Sequence, residues 1–206
     1  MPTKAEQSEN TRTALVDAAE QLFAERGFAD TPTEAVVQTA GVTRGALYHH
    51  FRDKTALFQA VYEGLEQQVV DRIHAATEGL TDPLAVLRTG ADAFLDACLE
   101  PAVQRIVLLE APAVLGWETW RQIEQAYGLG LVQAVLEVAM ASGVIRKAPL
   151  EPLAHILLGG LVEGAMLLAS SDDPDSARVQ VGEAVGLLID GLSTAPGRKR
   201  AATRRG

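Results

Sequence analysis

The chain has 206 residues, 48% of them hydrophobic with alanine, leucine and valine dominant, and a formal net charge of −9. A chain of this length buries one substantial core, or a small domain beside a larger one. A single cysteine, Cys98, excludes an intramolecular disulfide framework, and the polar start MPTKAEQSEN lacks the apolar stretch of a signal peptide.

The charge is unevenly spread. Residues 1–60 hold 6 basic and 8 acidic side chains, net −2; residues 61–194 hold 7 and 19, net −12; residues 195–206 hold 5 and 0, net +5. The longest apolar run, HILLGGLVEGAMLLA, is broken by Glu163 and falls short of a membrane span. No stretch reads as a strand hairpin. These features predict an all-α, soluble, cytoplasmic protein without a membrane partner.

In chain order, the first helix is predicted from near Thr11 to Arg26, with Ala14, Leu15, Ala18, Leu22 and Phe23 at helical spacing and Gly27 as its stop. Thr31-Pro32-Thr33-Glu34 reads as a capping box with proline at the first helical position, so a second helix starts there and ends at Gly41. Thr43 caps a third, short helix that carries Leu47 and Phe51 inward and leaves Arg44, Gly45, Tyr48 and His49 outward. Asp53 starts a long fourth helix bearing Leu57, Val61, Leu65, Val69, Ile73 and Ala76, which ends around Gly79.

Asp82-Pro83 opens a fifth helix reaching about Leu99, and Pro101 a sixth reaching about Glu110, with Ala111-Pro112 and Gly116 marking a break. A seventh runs from Trp117 to about Ser142, an eighth from Pro149–Pro152 to Ser170, and a ninth from the Asp172-Asp173-Pro174 signal to Ile189. About nine helices result. The predicted organisation is a helix-turn-helix domain over 1–54, a larger helical domain over 55–194 and a disordered basic tail over 195–206.

Helix, tight turn and short helix with an exposed polar leading end is the layout of a helix-turn-helix reader. Residues from about Thr11 to Val61 resemble the DNA-binding domain of the TetR (tetracycline-repressor-like) family. The run AGVTRGALYHHFRDKTALF carries the likeness through Gly41, Val42, Gly45, Leu47, Tyr48, Phe51, Lys54 and Leu57. Ala18, Leu22, Phe23, Gly27, Phe28 and Thr31 match the family's first helix and turn. Pro32, Thr33 and Ala35 depart from its usual pattern.

In a reader of this kind the leading turns of the second motif helix face base edges while flanking groups grip phosphate. Arg44 is the candidate for guanine O6 and N7. Gly45 and Ala46 allow close backbone approach, and the alanine methyl suits a thymine methyl. The Tyr48 hydroxyl, the Lys54 ammonium and the Thr33 hydroxyl are candidates for phosphate. Thr43 is explained by capping or by DNA contact alike. His49 matches a family position that contacts base or backbone. No metal site or cofactor is expected: adjacent His49 and His50 diverge by about 100° on a helix.

In the larger domain, Gly160 and Gly164 on the eighth helix and Gly182 and Gly186 on the ninth are each four apart. Glycine in a helix interior costs about 1 kcal/mol relative to alanine, so these positions need a reason. The resemblance implies a homodimer packed through these two helices, with Val185 and Ile189 adding apolar surface; packing within one subunit is the rival explanation. Phe94, Leu108, Trp117, Trp120, Ile123 and Tyr127, with His155 and a buried Glu163, are candidates for an effector pocket. Ordinary core packing accounts for most of them equally.

The resemblance implies a sequence-specific transcriptional regulator, a ligand-responsive repressor acting as a homodimer on a near-palindromic double-stranded operator. Its effector is an unidentified apolar or amphipathic small molecule. An alternative is a helical ligand-binding or interaction protein whose helix-turn-helix no longer reads DNA. No nucleophile–base arrangement, phosphate-cradling loop or metal spacing points to an enzyme.

Overall fold

The computed structural model describes residues 3–194, so the basic tail read from the sequence lies outside the described residues. These fold into nine continuous helices: α1 (Lys4–Arg26), α2 (Thr33–Thr39), α3 (Arg44–His50), α4 (Lys54–Thr77), α5 (Pro83–Ala97), α6 (101–115), α7 (117–141), α8 (Leu150–Ala169) and α9 (Pro174–Gly191). The all-α class follows, with no strand among the described residues. One antiparallel bridge, Ile145 to Ser193, fastens the end of α7 to the segment after α9.

Local chemistry sets most of the boundaries. Thr43 accepts from the Ala46 amide at 3.2 Å, Asp53 from Ala56 at 2.7 Å and Asp82 from Leu84 at 3.2 Å, each holding an amide that the first helical turn leaves unpaired. Gly41 ends its helix region at φ +66°.

Three local expectations are corrected. Helix α1 starts at Lys4 rather than Thr11, because Thr3 and Glu6 form a reciprocal capping box. Thr31 does not cap α2: its buried hydroxyl donates to Gly27 O at 2.7 Å and Leu22 O at 3.2 Å, and Pro32 takes the cap position with no side-chain bond. Pro112 does not break α6. The preceding turns, Val103–Glu110, wind as a π-helix, and this wider winding carries the backbone through to Gly116 despite the missing proline amide.

The rings of Phe23, Phe28 and Phe58 meet at centroid distances of 5.3–5.8 Å and anchor α1 to α4. The same buried cluster continues through Tyr62, Leu65, Leu95, Ile106 and Leu168, so α4 is shared between the N-terminal helices and the larger bundle. A second cluster, including Leu136, Ile145 and Leu158, joins α7 to α8.

Helix α8 departs from its sequence reading. By length and composition it is apolar enough to cross a membrane, despite Glu163. It packs on α9 and α7, with a substantial apolar stripe left uncovered.

Candidate nucleic-acid interface and cavity

The third helix stands on two buried side chains, Leu47 and Phe51, and Arg12 of α1 lies 5.5 Å above the Phe51 ring. With that face fixed inward, the 3.6-residue period turns the leading edge out. Thr43, Arg44, Gly45, Tyr48 and His49 are exposed, and Ala46 is half-buried beside them. Thr33 is half-buried at the start of α2, its hydroxyl 3.3 Å from the Glu34 carboxylate.

The electrostatics of this edge carry a detail absent from the sequence reading. Arg44 pairs with Glu34 at 3.0 Å and lies over the Tyr48 ring at 5.5 Å. Both partners of the ion pair are well exposed, so the pair contributes about 0–1 kcal/mol. A stronger acceptor can displace it.

Lys54 is used differently from the phosphate contact expected of it. Its ammonium donates to Phe28 O at 2.7 Å and Thr31 O at 3.1 Å, and sits 4.3 Å from the centre of the Phe28 ring. On the other side of the same loop, the Phe28 amide donates to the Glu110 carboxylate of α6 at 2.8 Å. Gly27, at φ +84°, is required here twice over, since a Cβ would also stand 2.5 Å from a Glu110 oxygen.

The larger bundle contains an apolar cavity of about 110 Å³ between α4, α5, α7, α8 and α9. Of the expected pocket residues only Phe94 lines it. Trp117 is 65% exposed, tilted against Trp120 at 5.1 Å between ring centroids and lying under the Arg121 guanidinium. Ile123 is buried in the main core, and Leu108 and Tyr127 pack against it. His155 is half-buried away from the cavity, and Glu163 is exposed rather than buried. The walls are mostly aliphatic side chains with three glycines, rather than the aromatic residues expected. A wider groove between α5 and α9 is crossed by Arg178, which pairs with Asp92 at 3.0 Å and Asp96 at 2.7 Å.

Glu66, which the sequence reading passed over, is the single ionisable residue of the cavity wall among the described residues. Burial pushes its carboxyl up to about 7, with Glu124 adding in the same direction, while a hydrogen bond from Tyr62 opposes them. Trp120 donates in turn to the Tyr62 hydroxyl. The signal was present: Glu66 stands three, four and seven residues before Val69, Val70 and Ile73, on an apolar face.

The glycines of α8 and α9 divide by role. A Cβ at Gly164 would meet Val181 at 2.7 Å, and one at Gly182 would meet Arg178 at 2.6 Å, so both are taken up inside the subunit. Val185 and Ile189 line the cavity as well, with Ile189 buried. A Cβ at Gly160 or Gly186 would meet nothing within 4 Å, and Gly160 also belongs to the cavity lining. On the same two helices Ile156, Leu167, Val179, Leu187 and Leu188 are exposed.

Two family profiles match most of the chain. Residues 15–61 match the bacterial regulatory proteins of the tetR family, and residues 84–192 match the tetracyclin repressor-like C-terminal domain. The chain belongs to the TetR family. It is a transcriptional regulator with a helix-turn-helix DNA-binding domain. A TetR-family transcriptional regulator from Pectobacterium atrosepticum has the same fold with a TM-score of 0.79 and 35% identity, over 95% of this chain and 100% of that one. The Tn10 TetC protein of Escherichia coli is 28% identical over 77% of this chain and 82% of its own length. The regulator TtgR of Pseudomonas putida is 39% identical over 40% of each chain.

Proposed function

We propose that this regulator is a cytoplasmic homodimer that represses transcription from a near-palindromic operator and is released by a small apolar or amphipathic effector. Residues 1–54 act as the reading head and residues 55–194 as the dimerisation and effector body. The exposed leading edge of α3, set on buried Leu47 and Phe51, is the observation that carries the reading. Arg44 leaves Glu34 to bridge a guanine, Gly45 and Ala46 admit the base edges, and Thr33, Thr43, Tyr48 and His49 hold phosphate and backbone. The head needs avidity, because residues 1–60 are net −2. Two copies reading successive major grooves about 34 Å apart supply it.

The exposed apolar side chains of α8 and α9 support dimerisation through that face, centred on Gly160 and Gly186. Large contiguous apolar patches on a soluble protein mark interaction sites. The cavity supports an effector site within each subunit.

Selection of bound fragments from random DNA, followed by shift assays at two salt concentrations, tests the reading. Arg44→Ala should lower affinity for the selected sequence by about 10- to 100-fold, the worth of a bidentate base contact. Undiminished sequence-specific binding by this variant, or no selected sequence at all, would defeat the assignment.

A further inference from the structure

The lining residues of the cavity extend along α4. Glu66, Val69, Val70, Ile73 and Thr77 face it in helical register, a length of about 16 Å at 1.5 Å per residue. Glu66 lies at the end nearer the reading head. The remaining wall is aliphatic apart from Phe94, the Thr77 hydroxyl and three glycines, and contains no lysine, arginine or histidine.

Among the described residues, no cation acts on Glu66 directly. From its own helix, Tyr62 faces it; from α7 come Glu124 and Tyr127, and from the end of α5 comes Cys98. Glu63 adds a further carboxylate beside Tyr127. Arg121, one turn from Glu124, is held by it at 2.5 Å. An ionised carboxylate with a single hydroxyl partner is costly against an apolar wall. A ligand bringing its own cation removes that cost, whereas an anionic ligand adds like-charge repulsion.

We propose that the cavity binds a small lipophilic amine, its hydrocarbon body along Val69, Val70 and Ile73 and its ammonium on the Glu66 carboxylate. The assignment rests on the effector reading above and gives that effector a chemical class. Size follows from the volume: a cavity of about 150 Å³ admits benzene, so 110 Å³ suits a short alkyl chain, with longer bodies emerging at the mouth. Selectivity follows from the head group, since a hydrogen bond to an ionised partner is about twice as strong as a neutral one.

The test uses three ligands with one tail, n-hexylamine, n-hexanol and hexanoate, titrated calorimetrically into the full-length protein without DNA. Hexylamine should bind about 10- to 100-fold tighter than hexanol at pH 8, with hexanoate weakest. Glu66→Gln should remove the preference. Wild type should lose it between pH 8 and 5.5, so the measurement stands even if the variant folds poorly. Near pH 6.5, titration in two buffers of different ionisation heat should show proton release as Glu66 ionises beneath the ammonium. Equal affinity for the three heads, no binding by any of them, or an amine preference retained in Glu66→Gln would each overturn the proposal. A shift assay with the selected DNA then reads regulation alone: amine binding that leaves DNA bound keeps the ligand class and removes the effector role.

Discussion

Replacing Glu66 by glutamine should change the pH dependence of stability in a way no exposed carboxylate would. The folded state raises this carboxyl from 4.5 to about 7, chiefly by burial. The folded protein therefore holds a proton that the unfolded chain has released, and stability falls as pH rises through that window. Each unit corresponds to about 1.4 kcal/mol, which sets an upper figure of about 3.4 kcal/mol. Water reaching the half-buried carboxylate from the cavity lowers it, leaving about 2–3 kcal/mol. At pH 4, below both values, glutamine mimics the protonated acid and the two proteins should unfold nearly alike. At pH 8 the variant should be the more stable by that amount, roughly 5–10 °C in midpoint for a chain of this size. Denaturant unfolding at one protein concentration is the assay, because the proposed dimerisation would make midpoints concentration-dependent. The difference between the two proteins cancels the titrating groups that are not coupled to Glu66. Parallel curves from pH 4 to 8 would show that Glu66 is solvated and refute the reasoning.

Lys54→Met should act first on folding. It removes hydrogen bonds from a charged donor to Phe28 O and Thr31 O, so a loss of about 2–4 kcal/mol is expected in unfolding experiments. A variant of unchanged stability that binds DNA weakly would restore Lys54 as a phosphate contact. Gly164→Ala should destabilise each subunit by about 1–3 kcal/mol through contact with Val181, whereas Gly186→Leu should weaken the dimer in sedimentation with little effect on subunit folding. Identical behaviour of the two variants would argue against the division of roles between these glycines.

The order and type of the helices were legible because caps and apolar periodicity are local: Thr43, Asp53 and Asp82 act within three residues of themselves. The α1 capping box at Thr3 and Glu6 was equally local and was overlooked because the flanking segment is polar. Thr31 departs from the capping role for a different reason. Its hydroxyl answers to carbonyls at the end of α1, an alternative that spacing with Glu34 does not reveal. Pro112 was misread because a π-helical stretch has no sequence signature of its own. The leading edge of α3 was legible from two inward residues, Leu47 and Phe51. The cavity was not, because it depends on which aliphatic faces of five helices fail to meet. Nor could Gly164 be distinguished from Gly186 by sequence spacing, since only the position of Val181 separates them.

The same contacts define how the cavity and the reading head are joined. Glu66 and Lys54 lie on one continuous helix, about 18 Å apart at 1.5 Å per residue. At its start, Lys54 holds the carbonyls of Phe28 and Thr31; from the opposite side, Glu110 holds the Phe28 amide. Glu110 closes the π-helical stretch of α6, while the second such stretch, Gln125–Leu129 in α7, places Gly128 in the cavity wall. The loop at 27–31 is thus gripped by α4 and by α6 together. Any displacement between those helices must be taken up in that loop, directly beneath α2 and α3. A ligand moves this linkage only by its differential affinity for the two arrangements, however tightly it binds either one. An ammonium on Glu66 meets that condition if the carboxylate is solvated differently in the two positions of α4. The charge in the cavity, rather than the area of apolar wall, is therefore the quantity through which a ligand would act on the head.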